Sequence, residues 1–340
     1  QETVWAENEA AARRIADRLK FHIAESGGQY ELASNMDSLP HSGRTLRLDM
    51  TLRVPQSTSA EVTVNEGDVS VTGLEGNQTL TARRGDVRAS NLQGVLRVHQ
   101  TRGETSANSI DGSLEIEGRG GDIAVRGVTG SVTVEGNFSG AARFEDVAQT
   151  VRYNSSRTSL TVQKLTGKLS MDMGNLTANG VAGPFDLATR DKDILLENFK
   201  LNVKIVNSNG DVRLETAAPP THPIQVTSKK GNLTLILPAE SNFVLNALSN
   251  DGEVSCDFPG MKVSKLPGKG SISGIYGKDG PAINLLSTYG TIRVVRSKAE
   301  GPSSRASTAS RRHHKQRWQS AGNSFLPALT SQVAKAPNQM

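Results

Sequence analysis

Short runs in which apolar and polar residues alternate recur along most of the chain, and many of them directly follow a glycine. Examples are D-V-S-V after Gly67, S-L-E-I after Gly112 and S-V-T-V after Gly130. Such alternation is typical of a β-strand with one buried face, so the apolar positions are predicted to point inward. The inward pairs predicted in the first half are Val69 and Val71, Val87 and Ala89, Leu114 and Ile116, Ile123 and Val125, and Val132 and Val134.

The glycines also recur at a regular interval. Eight of them stand nine residues apart without a break, and a second inward register recurs at twice that interval, at Leu74, Leu92, Ile110 and Val128. One inward corner residue per coil predicts an 18-residue coil with two strands and two glycine-containing turns, and stacking buries faces that a single coil leaves exposed. The sequence therefore predicts an all-β fold, a single parallel β-solenoid (β-helix). The predicted structural turn glycines are Gly67, Gly76, Gly85, Gly94, Gly103, Gly112, Gly121 and Gly130.

The repeat loosens after Gly130, but the alternation continues. Pro219 and Pro220 predict a longer loop that leaves the stack, with strands resuming at 224–226, 232–237, 253–256 and 291–295. The further inward residues predicted are Leu160, Val162, Leu169, Met171, Phe185, Leu187, Ile194, Leu196, Val212 and Leu214, with turns at Gly167, Gly174, Gly183 and Gly210.

The two ends of the chain lack this pattern. Residues 6–17 are rich in helix formers, and the alternating runs 21–24 and 30–33 are joined by S-G-G, which predicts a helix followed by a β-hairpin. We interpret them as a cap, because an open solenoid end exposes strand edges. The predicted organisation is an N-terminal cap over residues 1–45, the solenoid over 46–297 and a disordered basic tail over 298–340.

Composition and charge agree with a thin aliphatic core and disfavour one class of partner. Aromatic residues make up only 4% of the 340, which suits stacked Val, Ile and Leu better than a globular core. Seven of the 39 basic residues but only one of the 34 acidic residues lie from Lys298 onward, so the body is close to neutral despite the net charge of +5. A near-neutral body argues against specific nucleic-acid binding, which needs a basic face.

The single cysteine and the hydropathy of the chain set further bounds. Cys256 has no partner for an intramolecular disulfide, and a multi-thiolate zinc site is excluded; we interpret it as a small inward residue. No stretch approaches the length of a membrane span, and no signal peptide is visible. Because the chain begins at Gln1, we expect a fragment, and the sequence leaves open whether an export signal or membrane anchor was removed.

Calcium is the first chemistry to consider, because glycine/aspartate repeats are found in calcium-binding β-rolls. The acidic residues Asp68, Asp86, Glu104 and Asp122 stand one coil apart and are predicted to stack on one edge. The additional glycines and the aspartate spacing of the β-roll are missing. We therefore expect solvated turns whose carboxylates accept local backbone N–H groups, screened by Arg83, Arg84, Arg102 and Arg119, and no required metal or other cofactor.

Catalysis has little support in the sequence. Some β-helices cleave polysaccharides with acidic clusters on long inserted loops, but residues 67–130 contain no insertion. Asp191 and Asp193 form a carboxylate pair that nothing distinguishes from surface charge. His99 is placed at a turn edge, and His313 and His314 lie in the tail, so solvated histidines are expected. No catalytic residue is therefore predicted.

The tail contains the one cluster of like charge, R-R-H-H-K-Q-R-W. Its Arg311, Arg312, Lys315 and Arg317 are candidates for contact with an anionic surface such as phospholipid or cell-surface phosphate. The alternative is a solubilising, disordered end.

With the repeat described, the chain resembles a bacterial family named for adhesins, the β-strand-repeat domain of unknown function 4097. The matching features are units such as Gly67-Asp68-Val69 and Gly112-Ser113-Leu114, the closing S-T-Y-G-T-I-R-V at 287–294, and a predicted helix ahead of the first strands. The resemblance covers about residues 5–297. It implies an extracytoplasmic, non-enzymatic repeat domain, often carried on a membrane-anchored chain, and it brings no functional residues.

From the sequence we expect a non-enzymatic, adhesin-like module of the cell envelope that binds a protein or a cell-wall polymer along its repeat faces. One alternative is a scaffolding or regulatory domain of a membrane-anchored envelope-stress signalling protein. A second is a polysaccharide-acting β-helix enzyme, for which a concave acidic groove with loops would be expected. The ligand and the handedness of the solenoid stay open.

Overall fold

The structure is a computed structural model that describes residues 2–5, 17–26, 29–35, 45–266 and 269–297. The strands ahead of the solenoid are β1 (Glu2–Trp5), β2 (Phe21–Ser26), β3 (Gln29–Ser34) and β4 (Thr45–Leu48). The strands of the first stack are β5 (Ala60–Glu66), β6 (Val69–Thr72), β7 (Gln78–Arg84), β8 (Val87–Gln93), β9 (Leu96–Gln100), β10 (Thr105–Asp111), β11 (Leu114–Gly120), β12 (Ile123–Val128), β13 (Val132–Phe138) and β14 (Ala142–Asn154). The remaining strands are β15 (Thr158–Met171), β16 (Asn175–Val181), β17 (Phe185–Asp191), β18 (Asp193–Glu197), β19 (Val203–Asn209), β20 (Val212–Glu215), β21 (Ile224–Lys230), β22 (Leu233–Leu237), β23 (Phe243–Asp251), β24 (Val254–Cys256), β25 (Lys262–Leu266), β26 (Lys269–Tyr276), β27 (Ala282–Tyr289) and β28 (Ile292–Arg296).

Parallel pairing between alternate strands builds the solenoid that the sequence predicts. Strand β5 pairs with β7 and β7 with β9 on one face, while β6 pairs with β8 and β8 with β10 on the other. Val69 stands opposite Val87, and Leu96 opposite Leu114, so each residue meets its counterpart one predicted coil further along the chain. The predicted all-β, parallel β-solenoid with its two-strand coil is confirmed.

The core is a set of aliphatic ladders between the two faces. The inward residues predicted from the sequence are buried, except that Val71 in the first coil and Cys256 on β24 are half-buried. The four predicted corner residues are buried as well, with Ile110 and Val128 at 1% exposure. Each buried aliphatic side chain contributes about 1.5–3 kcal/mol of transfer free energy, so stacking supplies the stability that a single coil lacks.

The turn glycines serve two structural purposes, one of backbone conformation and one of close packing. Six of the eight predicted ones, Gly67 to Gly112, have positive φ, whereas Gly121 and Gly130 do not. At Gly103, φ is +121°, and an added Cβ would lie 2.1 Å from the carbonyl oxygen of Gly85 in the preceding coil. These glycines therefore permit both an unusual backbone conformation and close stacking of successive turns.

One coil runs against the direction of the others, which explains why the glycine repeat loosens after Gly130. Strand β14 passes along both faces, and the chain then reverses at Ser155–Arg157 so that β15 is antiparallel to it. A second reversal at Asp172–Gly174 makes β16 antiparallel to β15, and parallel pairing resumes at β18. The predicted turn at Gly167 is wrong, because β15 continues through that position.

The second parallel stack contains the predicted long loop and one unexpected coil order. The register lengthens across the Pro219–Pro220 loop, where Val212 stands opposite Leu233, so the loop is confirmed. The last coil, formed by β27 and β28, lies between the coil of β21 and β22 and that of β23 and β24. The chain therefore skips one position in the stack, continues, and returns to fill it.

A hairpin and an aromatic cluster lie at the far end of this stack. Strand β26 is antiparallel to both β23 and β25. The rings of Phe243, Phe258 and Tyr276 pack with centroids 4.7–5.6 Å apart, and the Arg296 guanidinium lies 5.4 Å from the Phe258 centroid. Aromatic packing of this kind closes the end of the aliphatic core.

At the N-terminal end, the predicted hairpin forms from β2 and β3. Most of its side chains are solvent-exposed, with Ile23 at 70% and Tyr30 at 73%, whereas Ala24 and Leu32 are half-buried. The predicted helix falls on residues 6–17, of which 6–16 lie outside the described residues, as do 298–340 of the predicted tail. The domain boundaries assigned from the sequence therefore stay a prediction.

Candidate functional site

The acidic turn residues bond to the next coil rather than to their own turn. The Asp68 carboxylate accepts the backbone N–H of Asp86 at 2.8 Å, and the Asp86 carboxylate accepts that of Glu104 at 3.0 Å. The Asp122 carboxylate accepts the N–H of Ala141 at 2.8 Å. The expectation of purely local acceptance was wrong in this respect, since each of these three carboxylates accepts a backbone N–H group from the next coil.

Different arginines from those expected neutralise this ladder. Arg88 lies 3.3 Å from the Asp68 carboxylate and 2.8 Å from that of Asp86. Arg143 lies 3.2 Å from Asp122. Both arginines project from strands two residues beyond a turn, where the guanidinium can span two coils. Each pair is exposed and contributes at most about 1 kcal/mol.

No group of three or more His, Cys, Asp or Glu side chains placed to hold a metal occurs in the part of the chain that the structure describes. Because Asp68 and Asp86 already accept backbone N–H groups and pair with Arg88, calcium would have to displace these bonds. We expect millimolar calcium to leave the melting temperature within about 1 °C of its value in chelator. A rise of many degrees would instead place a metal site on the ladder.

The other residues considered from the sequence have structural partners. Asp191 accepts a hydrogen bond from the Asn209 amide at 2.6 Å, and Asp193 accepts one from the backbone of Asp211 at 2.8 Å. The His99 ring faces outward, 3.4 Å from the Glu117 carboxylate. These groups lie in inter-coil ladders and do not converge on a shared point.

The remaining residues singled out from the sequence are Cys256 and the basic and histidine residues of the tail. The Cys256 thiol is half-buried against the core, and burial raises its pKa. The residues Arg311, Arg312, His313, His314, Lys315 and Arg317 lie outside the described residues.

A buried lysine that the sequence did not single out lies beside the second chain reversal. Lys192 is 7% exposed, and its ammonium donates to the backbone carbonyl of Asp172. Burial lowers the pKa of Lys192, and the nearby Asp172 carboxylate opposes that shift. The Asp172 carboxylate accepts the N–H groups of Gly174 and Asn175, which lowers its own pKa. The cluster fixes the turn from which parallel pairing restarts.

Stability should therefore depend on pH through Lys192. Between its lowered pKa and the ordinary value of 10.5, the unfolded chain binds the proton that the folded chain has released, so the free energy of unfolding rises with pH. Lys192→Met removes this contribution. Urea unfolding from pH 7 to 10 should show the difference between wild type and Lys192→Met shifting in favour of wild type as pH rises. Parallel pH profiles would contradict this assignment.

The outward rows of the two stacks differ in character. On the face of β9 and β11 in the first stack, Arg97 pairs with Glu115 at 2.8 Å and His99 lies beside Glu117. In the second stack, the central part of the same face on β21, β27, β23 and β26 consists of uncharged residues, and Lys204, Lys229 and Lys269 border it. We call the uncharged residues the C-terminal patch: Gln225, Thr227, Val244, Asn246, Leu248, Ser271, Ser273, Ile275, Ala282, Asn284 and Leu286.

The C-terminal patch is arranged as three rows that run across the strands. The middle row of amides and a hydroxyl is Gln225, Asn284, Asn246 and Ser273. Apolar side chains flank it, with Ile275 57% exposed on one side and Leu248 and Leu286 about 40% exposed on the other. A shallow concavity of about 330 Å³ lies over β27, β23 and β26. Sequence reasoning missed this surface because it depends on the intercalated last coil.

Stacked two-strand coils with aliphatic ladders and glycine turns define a β-solenoid repeat protein. Within that class, the chain belongs to the Toastrack family, DUF4097, whose model matches residues 47–295, and the predicted resemblance is thereby confirmed. No curated protein and no solved structure matches the chain. Across the described residues, no helix has the length and apolarity needed to cross a membrane.

Proposed function

We propose that this Toastrack solenoid is a non-enzymatic module on the extracytoplasmic side of the cell envelope that binds a polymer or a protein along its outward rows, in the manner of an adhesin. The observation that supports the proposal is the alignment of outward side chains in register across successive coils. Glu61, Thr79 and Arg97 form one such row, at a strand spacing of about 4.8 Å. A partner with its own repeat can contact such a row many times, and repeated contacts raise affinity.

The carboxylates that an enzymatic function would use have structural explanations. Asp191 and Asp193 each accept a hydrogen bond from the following coil, and Asp122 pairs with Arg143. A general acid or base must face the substrate to transfer a proton to or from it, whereas these carboxylates hold neighbouring turns together. This favours a binding role over polysaccharide cleavage.

Co-sedimentation of the full chain with purified cell-wall polymer and with anionic liposomes, at low and high salt, tests the proposal. A variant in which Arg311, Arg312, Lys315 and Arg317 are all changed to Ala separates the tail from the solenoid. Binding to the polymer that survives both high salt and the tail changes supports recognition by the outward rows. Binding that needs the tail and low salt reduces recognition to charge and contradicts the proposal. Failure to bind either material would favour the protein-binding, signalling alternative.

A further inference from the structure

The C-terminal patch differs from the rest of its face in charge. Outward positions on the first stack include Arg97, Glu115 and Glu117, whereas every member of the patch is uncharged. Lys204, Lys229 and Lys269 lie at its border. The centre of the patch offers no charged partner to a phosphate or carboxylate group, so the ligand groups that lie over it are expected to be uncharged.

The amides of the middle row can both donate and accept. Asn246 donates to the Asn284 side-chain oxygen at 3.3 Å, which orients the two amides along the row. That bond uses one of the two N–H groups of Asn246 and one lone pair of Asn284, so each amide keeps hydrogen-bonding capacity. Ser271 and Ser273 on β26 add hydroxyls on the neighbouring strand. The row thus presents alternating donors and acceptors along the solenoid axis.

The flanking apolar rows add a second requirement for the ligand. Leu248 and Leu286 stand opposite each other on β23 and β27, and Ile275 lies across the amide row from them. A ligand that fits must place polar groups over the middle of the patch and small apolar groups along its sides. An acetamido substituent carries one N–H, one carbonyl and one methyl, which matches this arrangement.

The patch lacks the anchors typical of a protein interface, and its spacing suits an extended chain. Protein interfaces are enriched in Tyr, Trp and Arg anchors that fill pockets, and the patch contains none of these. Its concavity is shallow and lies over β27, β23 and β26, with side chains repeating at the strand spacing of about 4.8 Å. An extended sugar chain has a repeat of similar length, so successive sugars can occupy successive strands.

We propose that the C-terminal patch is the ligand site of this module and that it binds an uncharged, acetamido-bearing glycan chain laid across β27, β23 and β26. This inference rests on the proposed function and names its site and ligand class. Asn246 and Asn284 hydrogen-bond the acetamido groups, and Leu248 and Leu286 contact the methyl groups and sugar faces.

Calorimetric titration of the full chain with chitohexaose, the hexamer of N-acetylglucosamine, tests the proposal, with cellohexaose as the matched ligand without acetamido groups. Asn284→Asp places a carboxylate in the patch at an exposed site. Thr133→Asp is the matched control, because it places a carboxylate at an outward position on β13 in the first stack. Melting curves of both variants establish that they fold.

We expect chitohexaose to bind wild type and Thr133→Asp equally, and Asn284→Asp at least tenfold more weakly. Cellohexaose should bind wild type at least tenfold more weakly than chitohexaose does. Equal affinity of the two sugars, equal affinity of the two variants, or no binding of chitohexaose would each overturn the inference. Any of these three outcomes, combined with co-sedimentation of cell-wall polymer, would leave the proposed function standing. Only the assignment of its site or ligand would then fail. If no sugar bound and Asn284→Asp abolished the binding of a purified protein partner, the patch would be assigned to a protein instead.

Discussion

Replacing Gly103 with alanine will destabilise the protein by about 3 kcal/mol or more, whereas the same change at Gly121 will cost about 1 kcal/mol or less. At Gly103 the backbone has a φ of +121°, which an L-residue rarely adopts, and the new Cβ would lie 2.1 Å from the Gly85 carbonyl oxygen. At Gly121, φ is not positive and the nearest atom in the preceding coil is 3.5 Å from the added Cβ.

The two variants form a matched pair, because both glycines occupy the same turn position in adjacent coils. Urea unfolding followed by circular dichroism gives both free energies. An equal, large loss of stability in both variants would mean that glycine is required for the repeat itself. A negligible loss in both would mean that the turns do not stack this closely.

Removing the last coil will disrupt strands that precede it in the sequence. A chain ending at Gly280 lacks the buried residues Ile283, Leu285, Ile292 and Val294, each worth about 2 kcal/mol of burial, or about 8 kcal/mol together. The loss separates β21 and β22 from β23 and β24, since β27 and β28 lie between them. We therefore expect residues 243–276 to detach and become sensitive to protease.

A chain ending at Ser297 is the control, because it keeps β27 and β28 and removes only residues beyond them. Limited proteolysis with mass spectrometry should find rapid cleavage within 243–276 in the shorter chain and protection in the control. If the coils were stacked in sequence order, the shorter chain would lose only its end, and β23 would stay protected.

The repeat could be predicted because its physical cause is local. A glycine is required where a turn stacks on the carbonyl of the turn before it, so the nine-residue spacing follows directly from the coil. The inward positions follow from the period-two pattern, and Phe185, Leu187, Ile194 and Leu196 are buried as expected in the second stack. The long loop could be predicted as well, because Pro219 and Pro220 interrupt the alternating pattern where the loop occurs.

Strand direction and coil order could not be predicted, because alternation is the same in every case. The inward residues Leu160 and Val162 suit a parallel or an antiparallel neighbour equally, so only the turns at Ser155 and Asp172 distinguish β15 from the other strands. Likewise, Leu285 would be inward whichever coil lay beside it. Burial pattern reports which face a residue occupies and contains no information on its neighbours.

The candidate site was missed for the same reason. Asn246 and Asn284 are far apart in the sequence, and each alone looks like an ordinary exposed amide on a strand. They become neighbours only because β27 is inserted beside β23. The acidic ladder was found from its spacing, but the donors to Asp68 and Asp86 belong to the next coil, since stacking brings the equivalent residue of that coil as close as the local turn.

Methyl-labelled NMR tests the intercalated order, on which both the fold and the C-terminal patch depend. Leu285 stands opposite Val226 on one side and opposite Ala247 on the other. Nuclear Overhauser contacts from the Leu285 methyls should therefore reach the methyls of both Val226 and Ala247 in the full chain. A direct contact between Val226 and Ala247, with Leu285 reaching neither, would contradict the coil order and remove the basis for the patch.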